Sequence, residues 1–222
     1  MSDVGVIFDM DGVLVLTESA HWQSWLAAAG PRKVKLEYPQ FLSCFGRLNP
    51  DCIRILFGPH IEPEESARIA QAKEAAFRDL IRANMPLAPG IVDVLRDLKH
   101  RQIRTAVGSS APPENVNLVL DASKLRDMFD AVVDASQVTR GKPAPDVFLI
   151  AAQRMGVPPA RCAVIEDAPM GIAAAVAAGM LPVGLTTTHP AADLQNAGAR
   201  LIFRDPSQLP VSQILSAIEA AF

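Results

Sequence analysis

The stretch VIFDMDGV, residues 6–13, decides the architecture. Three apolar residues run straight into two carboxylates, Asp9 and Asp11, and Gly12 then permits a tight turn. A short apolar run that empties into acids reads as a buried strand delivering side chains to a site at its carboxyl end. Other runs repeat the pattern: 104–107 into Gly108-Ser109-Ser110, 131–133 into Asp134, 162–165 into Glu166-Asp167, and 182–185 into Thr186. Helical patterns at 91–101, 114–122, 146–155 and 171–178 lie between them. The alternation predicts an α/β fold, a doubly wound, Rossmann-like parallel sheet with crossover helices on both faces. Ligands bind such sheets in the crevice outside the carboxyl ends of the strands. A last strand at 201–203 and a closing helix at 211–221 complete the reading.

Residues 18–85 read differently. They carry helical patterns at 19–29, 51–57 and 64–83 and no convincing strand, and the alternation resumes only after Pro86-Leu87-Ala88-Pro89-Gly90. The expected organisation is a core domain from residues 1–17 and 86–222, with 18–85 inserted as an all-helical cap over the sheet.

The bulk composition narrows the function. Half the residues are hydrophobic and the net charge is -3, so no basic surface points to nucleic acid or an anionic membrane as partner. Substrate charge must be met by a few placed cations. The cysteines, Cys44, Cys52 and Cys162, form no CxxC pair, which points away from a disulfide framework or zinc site and toward a cytoplasmic setting. The N-terminus has no signal-peptide pattern. The uncharged stretch 168–188 is broken by Pro169, Gly171, Gly179, Pro182 and Gly184, and reads as a buried helix followed by a strand. No protein partner is expected.

Four constellations carry chemistry. A carboxylate nucleophile beside a second carboxyl suits two-step phosphoryl transfer: Asp9 attacks phosphorus, while Asp11 protonates the leaving oxygen and later deprotonates water. Two close carboxyls should also push their pKa values apart, leaving one ionised and one protonated as those roles require. The alternative is a turn whose Asp side chains cap backbone amides. Ser109 and Ser110 precede a helix start, which suits a phosphate cradle or an ordinary cap. Lys142, in Arg140-Gly141-Lys142-Pro143, is either a fixed positive charge on a phosphoryl group or an exposed loop lysine. Glu166-Asp167, in VIEDAPMG, offer oxygen ligands of the kind Mg²⁺ prefers, or a helix cap.

Acid pair, serine, lysine and acid pair, in that order at strand ends, resemble the haloacid dehalogenase superfamily, and within it the β-phosphoglucomutase-like phosphatases and mutases. DMDGV, Ser109, GKPAPD and EDAPMGI carry the resemblance, with Gly179 of AAGM fitting as well. It implies a Mg²⁺-dependent phosphatase of a small phosphorylated metabolite. By the same resemblance Asp9 is nucleophile and metal ligand, and Asp11 is acid/base and binds the metal through its carbonyl. Asp167 is a metal ligand with Glu166 beside it, and Ser109 and Lys142 hold the phosphoryl group. One departure is Leu16-Thr17, where relatives show an aspartate before Ser or Thr; it bears on cap motion more than on chemistry.

The cap should choose the substrate. His21 matches a histidine that in the mutase links acid/base readiness to cap closure, and Lys73 matches a lysine common in this branch's cap. Asn49 falls where the mutase places an arginine on the second phosphate, while Arg47 stands two residues earlier. This leans toward a phosphatase, with the sugar phosphate mutase as alternative. A non-catalytic receiver-type phospho-switch is a third reading, disfavoured by the chain length, the DxD start and the helical insert.

Overall fold

The computed structural model describes residues 3–220; residues 1–2 and 221–222, which close the expected core ranges and the last helix, lie outside. Six parallel strands form one sheet: β1 (Gly5–Phe8), β2 (Arg104–Gly108), β3 (Ala131–Val133), β4 (Cys162–Glu166), β5 (Leu181–Leu185) and β6 (Leu201–Phe203). Their order is β3-β2-β1-β4-β5-β6. The direction of progression reverses at the β1–β4 boundary, the switch point where such sheets open a crevice for ligands. Asp9 leaves β1 and Glu166 ends β4, so the two acid-bearing segments stand on opposite lips of that crevice.

Strand periodicity sorts the core into two layers. Val6, Phe8, Val107, Ala163 and Ile165 face one side, against α5 (Ile91–His100), α6 (Pro113–Ala122) and α10 (Val211–Ala220). Ile7, Ala106 and Val164 face the other, against α7 (Asp146–Met155) and α8 (Pro169–Ala177). α9 (Ala191–Asn196), which shows no helical pattern in the sequence, lies between β5 and β6. The uncharged stretch 168–188 is α8 followed by β5, and no helix among the described residues is long and apolar enough to cross a membrane.

Between β1 and α5 the chain forms α1 (Glu18–Ala29), α2 (Tyr38–Cys44), α3 (Asn49–Phe57) and α4 (Pro63–Arg82), with a core of their own around Trp25, Phe41, Ile53 and Ile69. Two extended segments connect them to the sheet. Val15 bridges Leu87 in antiparallel fashion, and the Leu16 amide donates to the Pro86 carbonyl at 2.7 Å. Leu16 itself is exposed, away from the acids. Its paired backbone gives the connection a two-stranded hinge that does not depend on an acidic side chain.

Candidate active site

The site grows out of the turn after β1. The Asp9 amide donates to the Ile165 carbonyl at 3.0 Å, which fixes the first acid against β4. Gly12 has φ +80°, and a Cβ there would lie 1.8 Å from Asp167 Oδ2, so the turn needs glycine for both conformation and space. Gly171 plays the same spatial part at the start of α8, where a Cβ would fall 1.7 Å from Glu166 Oε1.

Below the crevice lies a buried ion cluster. Lys142, only 1% exposed, donates to Asp9 Oδ1 at 2.5 Å and to Glu166 Oε1 at 2.6 Å, with its ammonium 4.9 Å from the Phe148 ring centroid. The other Glu166 oxygen accepts from the Asp167 and Ala168 amides at 2.8 and 2.9 Å. Glu166 is therefore fully engaged in positioning. Asp167 is not: both its carboxylate oxygens are buried without a hydrogen-bond partner. A buried carboxylate left unpaired carries a large desolvation cost unless a cation completes it. Oxygens of Asp9, Glu166 and Asp167 all lie within 4.8 Å of one another, a hard-ligand set that fits a divalent cation. The carboxylate of Asp11 stands outside this cluster.

Electrostatics follow from that crowding. In the metal-free protein burial lifts the Asp9 carboxyl to about 8, against the pull of Lys142. Burial, then the Glu166 and Asp9 carboxylates, drive Asp167 well up. Asp11 goes the other way: burial opposes ionisation, but the neighbouring His21 and the Thr17 hydroxyl outweigh it and hold the carboxyl below its ordinary value. The expected split between the two acids is present, but its direction is the reverse of the one their roles suggested. The reason is that Asp9 faces Glu166 and Asp11 whereas Asp11 faces His21, and a cation held by the acids would invert that balance.

A sign follows for pH. Unfolded Asp9 ionises near its ordinary 3.8 and folded Asp9 near 8, so the folded state holds the extra proton between them. Metal-free stability thus falls as pH rises through that window, and a cation that displaces the proton stabilises more at its upper end. The gain in Tm from saturating Mg²⁺ is expected to be larger at about pH 8 than at about pH 5. Equal gains at both would contradict a protonated Asp9.

Above the acids opens a narrow cavity of about 40 Å³. Asp9, Asp11, Ser109 and Ser110 form its floor, and His21, Trp25, Phe45, Arg47, Asn49 and Lys73 stand among its walls. Ser109 is buried, its amide donating to Val133 and its hydroxyl accepting from the Ala111 amide at 3.0 Å. Lys142 is not among the lining residues; its charge reaches the cavity through Asp9.

Three of the sequence-selected wall residues, His21, Lys73 and Asn49, join one polar chain with Asp11, while Arg47 stands apart. Asp11 Oδ1 accepts from Thr17 Oγ1 at 2.5 Å and lies 3.0 Å from His21 Nε2. His21 Nδ1 meets Lys73 Nζ at 2.9 Å, and Lys73 donates to Glu74 Oε1 at 2.8 Å. The His21 ring stacks on Phe77 with centroids 4.0 Å apart. Asn49 Nδ2 donates to Glu74 at 2.8 Å. Among the described residues Arg47 has a buried, unpartnered Nε, and its Nη2 meets the Met170 sulfur at 2.9 Å.

Sequence reading passed over Glu74, Asn115 and His189. Glu74 Oε2 accepts from Asn115 Nδ2 at 2.6 Å, tying α4 to α6. His189 places its two ring nitrogens 3.1 Å from the Asp167 carbonyl and 3.2 Å from the Leu42 carbonyl, joining the loop after β5 to α2. The only advance signal for Glu74 was its neighbour Lys73; Asn115 and His189 had none.

A family model described as haloacid dehalogenase-like hydrolase matches residues 5–179. The chain belongs to that family. Among haloacid dehalogenase-like proteins it is 35% identical over 176 residues to the fructose-1-phosphate phosphatase YqaB of Escherichia coli, covering 79% of this chain and 93% of that one. It is 33% identical over 211 residues to the β-phosphoglucomutase of Bacillus subtilis, covering 92% and 90%. The crystal structure of a β-phosphoglucomutase from Clostridium difficile superposes with a TM-score of 0.87 at 28% identity, covering 99% of this chain and 98% of that one. Both the phosphatases and the mutases of this haloacid dehalogenase-like branch thus stand among the relatives.

Proposed function

We propose that this enzyme is a Mg²⁺-dependent phosphatase that hydrolyses a small phosphomonoester, a sugar phosphate or similar metabolite, through an aspartyl-phosphate on Asp9. The observation that carries the reading is the unpartnered, buried Asp167 carboxylate beside Asp9, at the sheet's switch point and beneath a cavity that Asp9, Asp11 and the two serines line. Residues 18–85 act as the cap and residues 1–17 with 86–222 as the core, the cavity lying between α1–α4 and the strand ends.

An Asp9 oxygen attacks phosphorus and the substrate's bridging oxygen leaves with a proton from Asp11. Asp11 then takes a proton from water, whose oxygen attacks the aspartyl-phosphate and frees Asp9 and inorganic phosphate. Asp11 is held in its base form, as the second half requires; the proton it takes from water there serves the first half of the next turnover, and His21 Nε2 at 3.0 Å keeps the carboxyl in place. Asp9 and Asp167, with Glu166 alongside, would hold Mg²⁺, which when bound neutralises charge on the transferring oxygens. Lys142 keeps Asp9 aimed and adds positive charge at the same place. Ser109 and Ser110 offer hydroxyls to the phosphoryl group from the β2 end.

The second reading, a sugar phosphate mutase, draws on Arg47, a guanidinium in the cavity wall without an acidic partner among the described residues. Against it stands Asn49, neutral and already bound to Glu74. The expected product from β-glucose 1-phosphate with a trace of bisphosphate is therefore free phosphate, with little glucose 6-phosphate. Phosphorus NMR follows both, and glucose 6-phosphate appearing faster than phosphate would show the mutase reading to be right. An arginine at position 49 would face the Glu74 carboxylate. Asn49→Arg with Glu74→Gln should therefore move the balance toward transfer further than Asn49→Arg alone. One charge-assisted contact to phosphate is worth about 1.5–3 kcal/mol, on the order of ten- to a hundredfold.

A further inference from the structure

The cavity wall also holds two cysteines that the reaction does not use. Cys44 ends α2 and Cys52 lies in the first turn of α3, and both line the cavity above Asp9 and Asp11. The Cys44 thiol donates to the Phe41 carbonyl at 3.2 Å, and the Cys52 thiol donates to the Cys44 carbonyl at 3.1 Å. The Cys52 sulfur thus reaches the main chain of Cys44 itself, and the two side chains stand side by side in the cavity wall. They are not equivalent. Contact with Cys52, then the positive charge of Arg47 and Lys73, draws the Cys44 thiol below its usual value against the effect of burial, while Cys52 is held well above. Two cysteines side by side in a cavity wall, the Cys52 sulfur 3.1 Å from the Cys44 carbonyl and Cys44 held the more acidic, are the arrangement of an attacking and a resolving cysteine. Cys162 supplies the contrast: it lies in β4, outside the cavity, and burial pushes its thiol up to about 12.

We propose that Cys44 and Cys52 are an oxidation site, and that a peroxide entering the substrate cavity joins them in a disulfide that reversibly inactivates the enzyme. The Cys44 thiolate attacks one peroxide oxygen, breaking the O–O bond to give a sulfenic acid and releasing hydroxide. The Cys52 sulfur then displaces the sulfenic hydroxyl, forming the S–S bond while its proton leaves with the oxygen as water. Across both steps two thiols are oxidised and one peroxide is reduced to two waters.

The structural consequence lies in the segment between them. A disulfide holds its sulfurs about 2 Å apart, well inside a thiol–thiol contact, so the bridge must draw the end of α2 and the start of α3 together. Phe45, Gly46, Arg47 and Leu48 form that short loop, and several of them touch the sheet side of the cavity. A Gly46 Cβ would fall 3.2 Å from Ala168, Arg47 meets Met170, and Leu48 packs so closely on Gly141 that a Cβ there would lie 2.6 Å from it. Tightening the loop disturbs the closed wall of the cavity and with it substrate fit.

The test is to treat the purified full-length chain with hydrogen peroxide, block free thiols with an alkylating agent, and follow mass and activity together. Trypsin cuts after Arg47 and so places Cys44 and Cys52 on separate peptides. The expected product is an intact chain lighter by two hydrogens, with those two peptides joined and Cys162 still alkylated. Turnover of p-nitrophenyl phosphate with Mg²⁺ should fall to a small fraction and return with dithiothreitol, and inorganic phosphate in the cavity should slow the oxidation. Cys52→Ser and Cys44→Ala are each expected to form no bridge and to show no dithiothreitol-reversible loss, each judged against its own untreated activity. Intermolecular bridges, oxidation of Cys162 ahead of the pair, or a complete Cys44–Cys52 bridge that leaves turnover unchanged would each overturn the proposal. The bridge is read by mass alone, so a failure of the phosphatase reading would appear separately, as an untreated enzyme that releases no phosphate.

Discussion

Asp9→Asn is expected to release no measurable phosphate while keeping the fold. The amide is nearly isosteric and its Oδ1 can still accept from Lys142, whose second partner Glu166 is untouched. What is lost is the attacking carboxylate, and removal of a covalent nucleophile costs on the order of a thousandfold or more in turnover. Stability should not fall with activity. Asp9 is buried beside Glu166 and Asp11, whose charges work with burial against its ionisation. A neutral side chain removes that conflict, so the metal-free variant should melt no lower than the parent at about pH 8. Substantial phosphatase activity in purified Asp9→Asn would contradict the covalent mechanism, and a collapse in Tm would contradict the electrostatic account.

Asp167→Ala should separate metal binding from folding just as sharply. Its carboxylate oxygens make no well-formed hydrogen bond among the described residues, the Thr188 hydroxyl being the neighbouring donor, and their removal relieves repulsion from Glu166 and Asp9. The metal-free variant is expected to be at least as stable as the parent. Its Mg²⁺ requirement should rise by at least about tenfold, since the hard-cation site loses a ligand. In the parent, excess EDTA should abolish turnover and added Mg²⁺ restore it. An enzyme fully active in EDTA would remove the metal from the account. An Asp167→Ala variant with an unchanged Mg²⁺ titration would remove Asp167 from the site.

The sheet was legible because each strand is a short apolar run between turn residues, a pattern that survives without any knowledge of tertiary partners. The same runs end in the acids, serines and lysine that chemistry needs, so the floor of the site could be read with the fold. The helices α2 and α9, of seven and six residues, were not legible. Neither is long enough to show a full amphipathic period, and Pro39 in the first turn of α2 reads as a turn residue.

Less of the cavity wall could be read, for a physical reason. Glu74 next to Lys73 looks like a solvated pair on a surface helix, and nothing local says that Asn115, 41 positions on, will close over it. Cys44 and Cys52, eight residues apart, fit no ligand spacing, and only the turn between α2 and α3 brings them together. The order in which the acid pair ionises was not legible either. The sequence shows that two carboxyls are close, whereas the ordering depends on which of them faces Lys142 and Glu166 and which faces His21. Such buried long-range contacts decide polar networks, and no window along the chain contains them.

The central claim is that phosphate passes through a covalent bond to Asp9. The most direct measurement is to quench the enzyme with borohydride during turnover of p-nitrophenyl phosphate with Mg²⁺, and to sequence the N-terminal peptide by mass spectrometry. An acyl phosphate is reduced where a free carboxylate is not, so the account predicts homoserine at position 9, dependent on both substrate and Mg²⁺ and absent from Asp9→Asn. An enzyme turning over under the same conditions with Asp9 intact, or with reduction at Asp11 or Asp167 instead, would contradict it.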